Sequence, residues 1–419
     1  MFRRTILPLL GLALGLSLAA TGTAQTGKGL QTKVKVGAPT RLDWTYVLAT
    51  KSLEKPPANW LPADYDSTKQ VYDLYVPPDY DAKKSYPVVL FVSPGDGPGG
   101  VKEWEPVCKQ KGIIFAAPHN AGNNCPTQRR VRIILDVLDD VRRNFNTDAD
   151  RTYITGFSGG GRIAGAIAQA LPEYFGGSAP ICASADLRDD TWLQHRLIER
   201  QSVALVTGET DFNRGECERF KGPWLSEMGV RAKVWVVPKL GHAVPNATVL
   251  TEVFDWLEAG LPKRRELAKK FPTTSVTGKA APARAEIAAS MLQEGKQRLQ
   301  AKETTYSGLM LLVGCATRFD DAPASKEARE LCAEYDGKAV KPWEEENANE
   351  ERRFALAKVR ALDAYASGPL PDQYVKQRAE MAKAAIVLWA QFIKDGQDAK
   401  AIEQAKQRIP ALTKLAEGK

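Results

Sequence analysis

Histidine is scarce in this sequence, and no spacing of cysteine and histidine is typical of a metal site. Only His119, His195 and His242 occur among the 419 residues. The six cysteines form no Cys-x-x-Cys pair, and none stands beside a histidine. Structural zinc sites are usually built from such closely spaced ligands. The sequence therefore argues against a zinc site, and it offers few residues that can act as a general base.

Clusters of basic residues are missing as well. The chain has 58 Lys and Arg against 50 Asp and Glu, a net charge of +8, and the acidic residues are interspersed throughout. Nucleic-acid surfaces concentrate basic side chains in patches or blocks. The mild basic excess therefore indicates an ordinary solvated surface, and we expect no nucleic-acid partner.

Only the N-terminus carries a long apolar run. Arg3 and Arg4 precede the apolar residues Ile6 to Ala20, and Gly22-Thr23-Ala24 supplies the small residues that a signal peptidase requires. The run is shorter than the ~20 residues that span a bilayer, and no second run follows. We expect residues 1–24 to be a signal peptide and the protein to be secreted or periplasmic, without stable membrane insertion.

Export makes the six cysteines candidates for disulfides, because oxidising compartments favour them. The sequence alone leaves the connectivity open. Pairing neighbours within each region predicts three bonds, Cys108–Cys125, Cys182–Cys217 and Cys315–Cys332.

Short strand-like runs alternate with helical ones in the first part of the mature chain. Val88–Val92 is apolar throughout, as in strands that are buried on both faces of a parallel sheet. Alternation of this kind predicts an α/β domain over residues 25–265, with a mostly parallel sheet flanked by helices. The first two strands have no helix between them, which predicts an antiparallel edge. The predicted strands are Asp43–Ala49, Gln70–Val76, Pro87–Val92, Gly112–Ala117, Arg151–Phe157, Gly177–Cys182, Ser202–Thr207 and Ala232–Val237.

The composition changes near Pro262. Residues 266–283 contain Pro, Thr, Ser and Gly and are predicted to be a linker. Residues 284–419 are rich in Ala, Lys, Glu, Gln and Leu at helical spacing, with no alternating run of β-formers. We expect a C-terminal all-helical domain.

The most informative motif is the Gly-x-Ser-x-Gly at residues 156–160. A β-rich run enters it and an Ala- and Ile-rich helical run leaves it. This strand–turn–helix context can hold a serine hydroxyl at the top of a sheet, because Gly156 and Gly160 let the strand and the helix approach closely. The motif predicts Ser158 as a nucleophile; the alternative is a glycine-rich loop.

A serine needs an adjacent base to become nucleophilic at neutral pH. His242 directly follows the last predicted strand, where ligands gather in an open α/β sheet, and it is predicted to be that base. His195 lies within a helical run and is interpreted as a packing or surface residue. His119 follows another strand and is interpreted as a loop residue that could line the pocket.

The base in turn needs an orienting carboxylate, which should lie between the serine and the histidine in chain order, after a strand. Asp211 meets this requirement, with Glu209 as its competitor two residues earlier. We prefer Asp211, because the more distal carboxylate can reach the histidine loop. The order Ser158, Asp211, His242 is then complete.

The developing oxyanion needs N–H donors. Gly159, directly after the nucleophile, should supply one of them. The second should come from the glycine-rich turn at residues 93–100, which lacks the Gly-Lys-Ser/Thr of a nucleotide-binding loop. Pro94 has no N–H to donate, so Gly95 or Asp96 is the predicted donor.

Taken together, these segments resemble the α/β-hydrolase superfamily, and within it the secreted esterases similar to polyhydroxybutyrate depolymerases. The resemblance rests on Tyr72–Tyr80, the elbow at 151–161, the acid turn at 208–211 and the base turn at 240–242. It implies hydrolysis of small or polymeric esters through an acyl-enzyme, without a metal or an organic cofactor. Feruloyl esterases, acetylxylan esterases and some serine peptidases share the pattern, so the substrate stays open.

Two features allow other interpretations. Members of this superfamily often carry His-Gly where this chain has Ser93-Pro94, so a degenerate hydrolase that acts as a binding or scaffold protein is an alternative, as is a serine peptidase. Residues 319–328 of the helical domain are weakly similar to the turn of a tetratricopeptide repeat. Such repeats bind proteins on concave surfaces. The helical domain is therefore predicted either to bind a protein partner or to pack on the enzyme domain.

Overall fold

The computed structural model describes residues 27–185, 187–271, 281–338 and 342–418. The predicted signal peptide lies outside these residues, as does half of the predicted linker, residues 272–280. Within them, no helix combines the length and the apolar character that crossing a bilayer requires.

An eight-stranded, mostly parallel sheet forms the centre of the N-terminal part, in the order β1-β2-β4-β3-β5-β6-β7-β8. From β4 through β8 all neighbours are parallel, whereas β2 pairs antiparallel with both β1 and β4. The fold class expected from the sequence is confirmed. The strands are β1 Gly29–Lys35, β2 Val71–Val76, β3 Tyr86–Val92, β4 Ile114–Pro118, β5 Thr147–Phe157, β6 Gly177–Ile181, β7 Ser202–Gly208 and β8 Arg231–Val237.

Both faces of this sheet are covered, which explains the uninterrupted apolar strands. Along β3, Val88 and Leu90 pack into the core on one face, and Val89 and Phe91 pack into the core on the other. The helices that cover the sheet are α1 Val101–Lys111, α2 Thr127–Asn144, α3 Gly159–Ala170, α4 Thr191–Arg200, α5 Gly222–Met228, α6 Ala247–Glu258 and α7 Leu261–Lys270, and a π-helical segment, Glu216–Lys221, precedes α5.

One predicted strand is wrong. Residues 43–49 contain a short 3-10 helix, Trp44–Val47, and not a strand. Thr45 Oγ1 donates to Asp43 Oδ1 at 3.1 Å, and the Leu48 N–H donates to the Thr45 carbonyl at 3.1 Å. These local bonds compete with a strand ladder. The antiparallel edge is instead made by β1, whose polar and mostly exposed residues gave no strand signal.

The C-terminal part is helical and packs on the sheet region. Trp192 of α4 lies in the same apolar cluster as Tyr306 and Met310, and Trp224 of α5 lies in a second cluster with Phe354 and Ala361. The presence of a protein partner for these helices stays a prediction. The helices are α8 Arg284–Arg298, α9 Lys302–Arg318, α10 Pro323–Asp336, α11 Glu344–Ser367, α12 Asp372–Val375, α13 Arg378–Asp395 and α14 Ala399–Ala416.

The three predicted disulfides are wrong: all six cysteines, each within the described residues, are free thiols. Cys108 and Cys125 lie on opposite faces of the sheet, since each belongs to a different apolar cluster. In each of the other two pairs, at least one thiol donates to a backbone carbonyl. Cys182 Sγ lies 3.4 Å from the Ala243 oxygen, and Cys315 Sγ lies 3.4 Å from the Ala288 oxygen.

Candidate active site

Ser158 occupies a sharp turn between β5 and α3, with φ 52° and ψ −124°. A positive φ is uncommon for a residue with a side chain, and such strain is often found at functional sites. The strand and the helix can approach this closely because Gly156 and Gly160 have no side chain and pack directly against backbone atoms. A β-carbon on Gly160 would lie 2.0 Å from the Val92 carbonyl oxygen of β3. The Ser158 N–H donates to the Ile181 carbonyl at 2.8 Å, which fixes the turn to β6.

His242 and Asp211 form a close pair at the same edge of the sheet. The distance from His242 Nδ1 to Asp211 Oδ1 is 2.7 Å. The Asp211 side chain is fully buried, and it also accepts from Thr207 Oγ1 at 2.7 Å and from the Asn213 N–H at 3.0 Å. These bonds hold the carboxylate so that it can orient the imidazole.

The His242 ring lies between two aromatic side chains, one of which adjoins the nucleophile. Its centroid is 4.8 Å from that of Phe157, the residue before Ser158, and 4.0 Å from that of Phe212, on which it stacks. Ser158 Oγ makes no hydrogen bond with any described residue, His242 included. Catalytic hydrogen bonds often tighten only when a substrate is present.

The competing candidates lie elsewhere. Glu209 is exposed and accepts the Lys239 N–H at 2.8 Å, so it does not face His242. His119 Nε2 pairs with Asp73 Oδ1 at 2.8 Å. His195 lies between Glu199 and Glu350, at 3.4 and 3.3 Å. Burial alone would lower the pKa of His195, but the hydrogen bonds to the two carboxylates outweigh it and raise the pKa to about 9.

The two predicted sources of oxyanion donors follow neighbouring parallel strands, β5 and β3. Gly159 is the first residue of α3, and the loop with Gly95 and Asp96 follows β3. The Gly95 N–H donates to Ser93 Oγ at 3.1 Å. The Asp96 N–H lies against Gly122, where an added β-carbon would be 3.0 Å from the Asp96 nitrogen. The second donor stays a prediction.

Cys182 also lies beside the His242–Asp211 pair, and the sequence did not indicate that it belongs to this site. It follows β6 with φ 52°, and one ligand atom each from Cys182, Asp211 and His242 lie within 4.8 Å of one another. Burial, followed by the nearby Asp211 carboxylate, raises the pKa of the Cys182 thiol to about 12. We assign no metal to this group, because His242 Nδ1 and Asp211 Oδ1 are already paired with each other at 2.7 Å. A positive φ cannot be read from the sequence, and nothing else distinguishes Cys182 there.

No protein-family model matches this chain, and no curated protein matches it. Among solved structures it is similar to a thermostable esterase, with 20% identity, a TM-score of 0.33, and coverage of 48% of this chain and 59% of that one. It is also similar to an S-formylglutathione hydrolase from Staphylococcus aureus, with 14% identity, a TM-score of 0.36, and coverage of 46% and 90%. A third similar structure is Est1E from Butyrivibrio proteoclasticus, with 14% identity, a TM-score of 0.35, and coverage of 47% and 96%. Likenesses this distant assign no activity to the chain.

Proposed function

We propose that this protein is an exported serine esterase, which hydrolyses carboxylic esters through an acyl-enzyme on Ser158, Asp211 and His242. The observation that carries the proposal is a conjunction at one sheet edge. The strained serine turn follows β5, and a histidine paired with a buried aspartate at 2.7 Å stands beside it. A strained turn and a histidine–aspartate pair each have other uses, but together with a free serine hydroxyl they match the requirements of nucleophilic catalysis.

The mechanism follows from the atoms available. His242 Nδ1 is directed to Asp211, so Nε2 is the nitrogen that can accept the Ser158 proton. Ser158 Oγ then attacks the ester carbonyl and forms a tetrahedral intermediate. The carbonyl oxygen becomes negatively charged, and we expect the Gly159 N–H at the start of α3 to stabilise it.

Collapse of the intermediate breaks the bond between the carbonyl carbon and the alcohol oxygen. His242 returns the proton to that oxygen, and the alcohol leaves. A water molecule then gives a proton to His242 and attacks the acyl-enzyme, and the acid departs as Ser158 regains its proton. The Asp211 carboxylate holds the imidazole in place and stabilises the imidazolium that forms.

Removal of the nucleophile tests the proposal. Ser158→Ala should abolish hydrolysis of a short-chain aryl ester such as p-nitrophenyl acetate, while circular dichroism and thermal unfolding stay unchanged. Ser226→Ala is the matched control, because Ser226 is exposed on α5. Full activity in the Ser158→Ala protein would overturn the assignment.

A fluorophosphonate probe separates an active hydrolase from a degenerate scaffold. An active enzyme should be labelled at Ser158, and the label should appear on the tryptic peptide that contains this serine. A scaffold would stay unlabelled. Comparison of matched ester and amide substrates then distinguishes an esterase from a peptidase.

Export through cleavage after Ala24 is part of the same proposal, and the intact mass of the protein secreted by its host tests it.

A further inference from the structure

The glycine-rich loop after β3 offers few free N–H groups for an oxyanion. Pro94 has none, and the Gly95 N–H already donates to Ser93 Oγ at 3.1 Å. A donor that must break an existing bond contributes less to catalysis than one that is free and preorganised. The first two positions after Ser93 are therefore poorly suited to complete the hole.

Asn123, in the loop after β4, lies closer to the nucleophile turn than the sequence suggests. A β-carbon on Gly159 would be 2.1 Å from Asn123 Oδ1 and 2.8 Å from Asn123 Nδ2. Only a glycine at position 159 leaves room for this carboxamide. The Asn123 N–H donates to the Pro94 carbonyl at 2.8 Å, which ties the β4 loop to the β3 loop.

Arg130 determines which way the Asn123 carboxamide faces. Arg130 is buried, and its Nη1 donates to Asn123 Oδ1 at 3.1 Å while its Nη2 donates to the Ser93 carbonyl at 3.1 Å. A guanidinium has donors only, so the oxygen of the amide must be the atom that faces it. Asn123 Nδ2 then lies on the other side of the amide, where it makes no hydrogen bond with the described residues.

The geometry points to Asn123 as the second oxyanion donor, through Nδ2, opposite the Gly159 N–H. This inference rests on the proposed esterase function and names a residue that replaces the missing backbone donor. The bond from Arg130 to Oδ1 polarises the amide and makes its N–H groups stronger donors. Arg130 is accordingly a positioning residue, and Asn123 is the residue that contacts the reacting oxygen.

Two substitutions of Asn123 test the assignment with p-nitrophenyl acetate. Asn123→Ala removes the donor, and kcat should fall roughly 10²–10³-fold with little change in KM, the size of effect seen when one donor is lost. Asn123→Asp keeps an acceptor for Arg130 but places a negative charge at the oxyanion, so kcat should fall further. Asn124→Ala, at the exposed neighbouring position, is the control and should keep full activity.

A transition-state analogue separates a donor from a merely structural residue. A trifluoromethyl ketone forms a hemiketal oxyanion on the serine, so its inhibition constant should rise in Asn123→Ala by about the same factor as kcat falls. An unchanged inhibition constant, or a kcat within twofold of the original, would overturn the role of Asn123. If one of these results is obtained while Ser158→Ala is inactive, the esterase proposal still stands and only the role of Asn123 fails. If Ser158→Ala is active, both the esterase proposal and the role of Asn123 fail.

Discussion

At the scale of single residues, the choice between Asp211 and Glu209 has a direct kinetic consequence. Asp211 is buried against His242 Nδ1, whereas Glu209 is exposed and bonds to the backbone of Lys239. Asp211→Asn should therefore lower kcat on an aryl ester roughly 10⁴-fold, because an amide in this position stabilises the wrong tautomer of the histidine.

Glu209→Gln is the matched control, with the same carboxylate-to-amide change two residues away, and it should keep kcat close to that of the original protein. The measurement is steady-state kinetics at a pH where both variants are folded. If Glu209→Gln were the more damaging of the two, the assignment of the acid would have to be reversed.

The proximity of Ser158, Asp211 and His242 could be predicted from the sequence, because each residue follows a strand of a parallel sheet. The carboxyl ends of such strands meet at one edge, so position along the chain predicts proximity in space. Asn123 could not be found in this way. Its role depends on the absence of a side chain at Gly159 and on a contact from Arg130, and neither is visible as a local pattern.

At the scale of elements, the junction of β5 and α3 depends on how closely the helix approaches β3. Replacing a glycine inside a helix with alanine usually raises the free energy of unfolding of the protein by about 1 kcal/mol. Gly160 should be an exception, because its β-carbon would lie 2.0 Å from the Val92 carbonyl oxygen, a backbone atom that cannot rotate away. Gly160→Ala should destabilise the protein by about 1–3 kcal/mol and lower kcat further by displacing Ser158.

Gly97→Ala provides the comparison, since an added β-carbon there meets nothing within 4 Å. Its thermal unfolding and its kcat should match those of the original protein. Thermal melts and ester kinetics on the two variants measure both quantities. Equal stability of Gly160→Ala and Gly97→Ala would contradict the close approach of helix and strand.

The elements themselves were predictable where their apolar pattern was strong. The strands from Gln70 to Val237 agree with the sequence-based prediction to within a few residues at most ends. The reading failed at the sheet edge, where β1 exposes most of its side chains and carries little apolar signal. It also failed at residues 43–49, where Trp44 and Tyr46 pack into the core from a short 3-10 helix and not from a strand.

At the scale of the whole molecule, His195 of α4 connects the sheet region to α11 through Glu350. The pKa of His195 is raised to about 9 in the folded chain, above the value of about 6.5 for an unfolded chain. Against the lowering effect of burial, Glu199, on the same helix, and Glu350 both raise this pKa. The charged cluster therefore stabilises the fold fully below pH ~6.5, and this contribution is lost as the pH rises through about 9. It amounts to at most about 3 kcal/mol.

Urea unfolding between pH 6 and pH 9.5 measures this contribution. The free energy of unfolding should fall across this window in the original protein and stay flatter in His195→Gln, which cannot titrate. Parallel pH profiles for the two proteins would show that the charge on His195 does not stabilise the fold.

Arg318 makes a buried ionic link between the helices and the sheet region. Its side chain is 1% exposed, and Nη2 lies 3.0 Å from Asp43 Oδ2 and 2.7 Å from Glu173 Oε1. Arg318→Ala should lower the free energy of unfolding by about 3–5 kcal/mol, because it leaves two carboxylates without their buried partner.

Arg352→Ala, on α11, is the control: Arg352 makes no ion pair with the described residues, and its removal should cost less than about 0.5 kcal/mol. Because Arg318 joins both parts, its loss should shift one common unfolding transition, and two separate transitions in the original protein would mean that the helices fold as an independent unit.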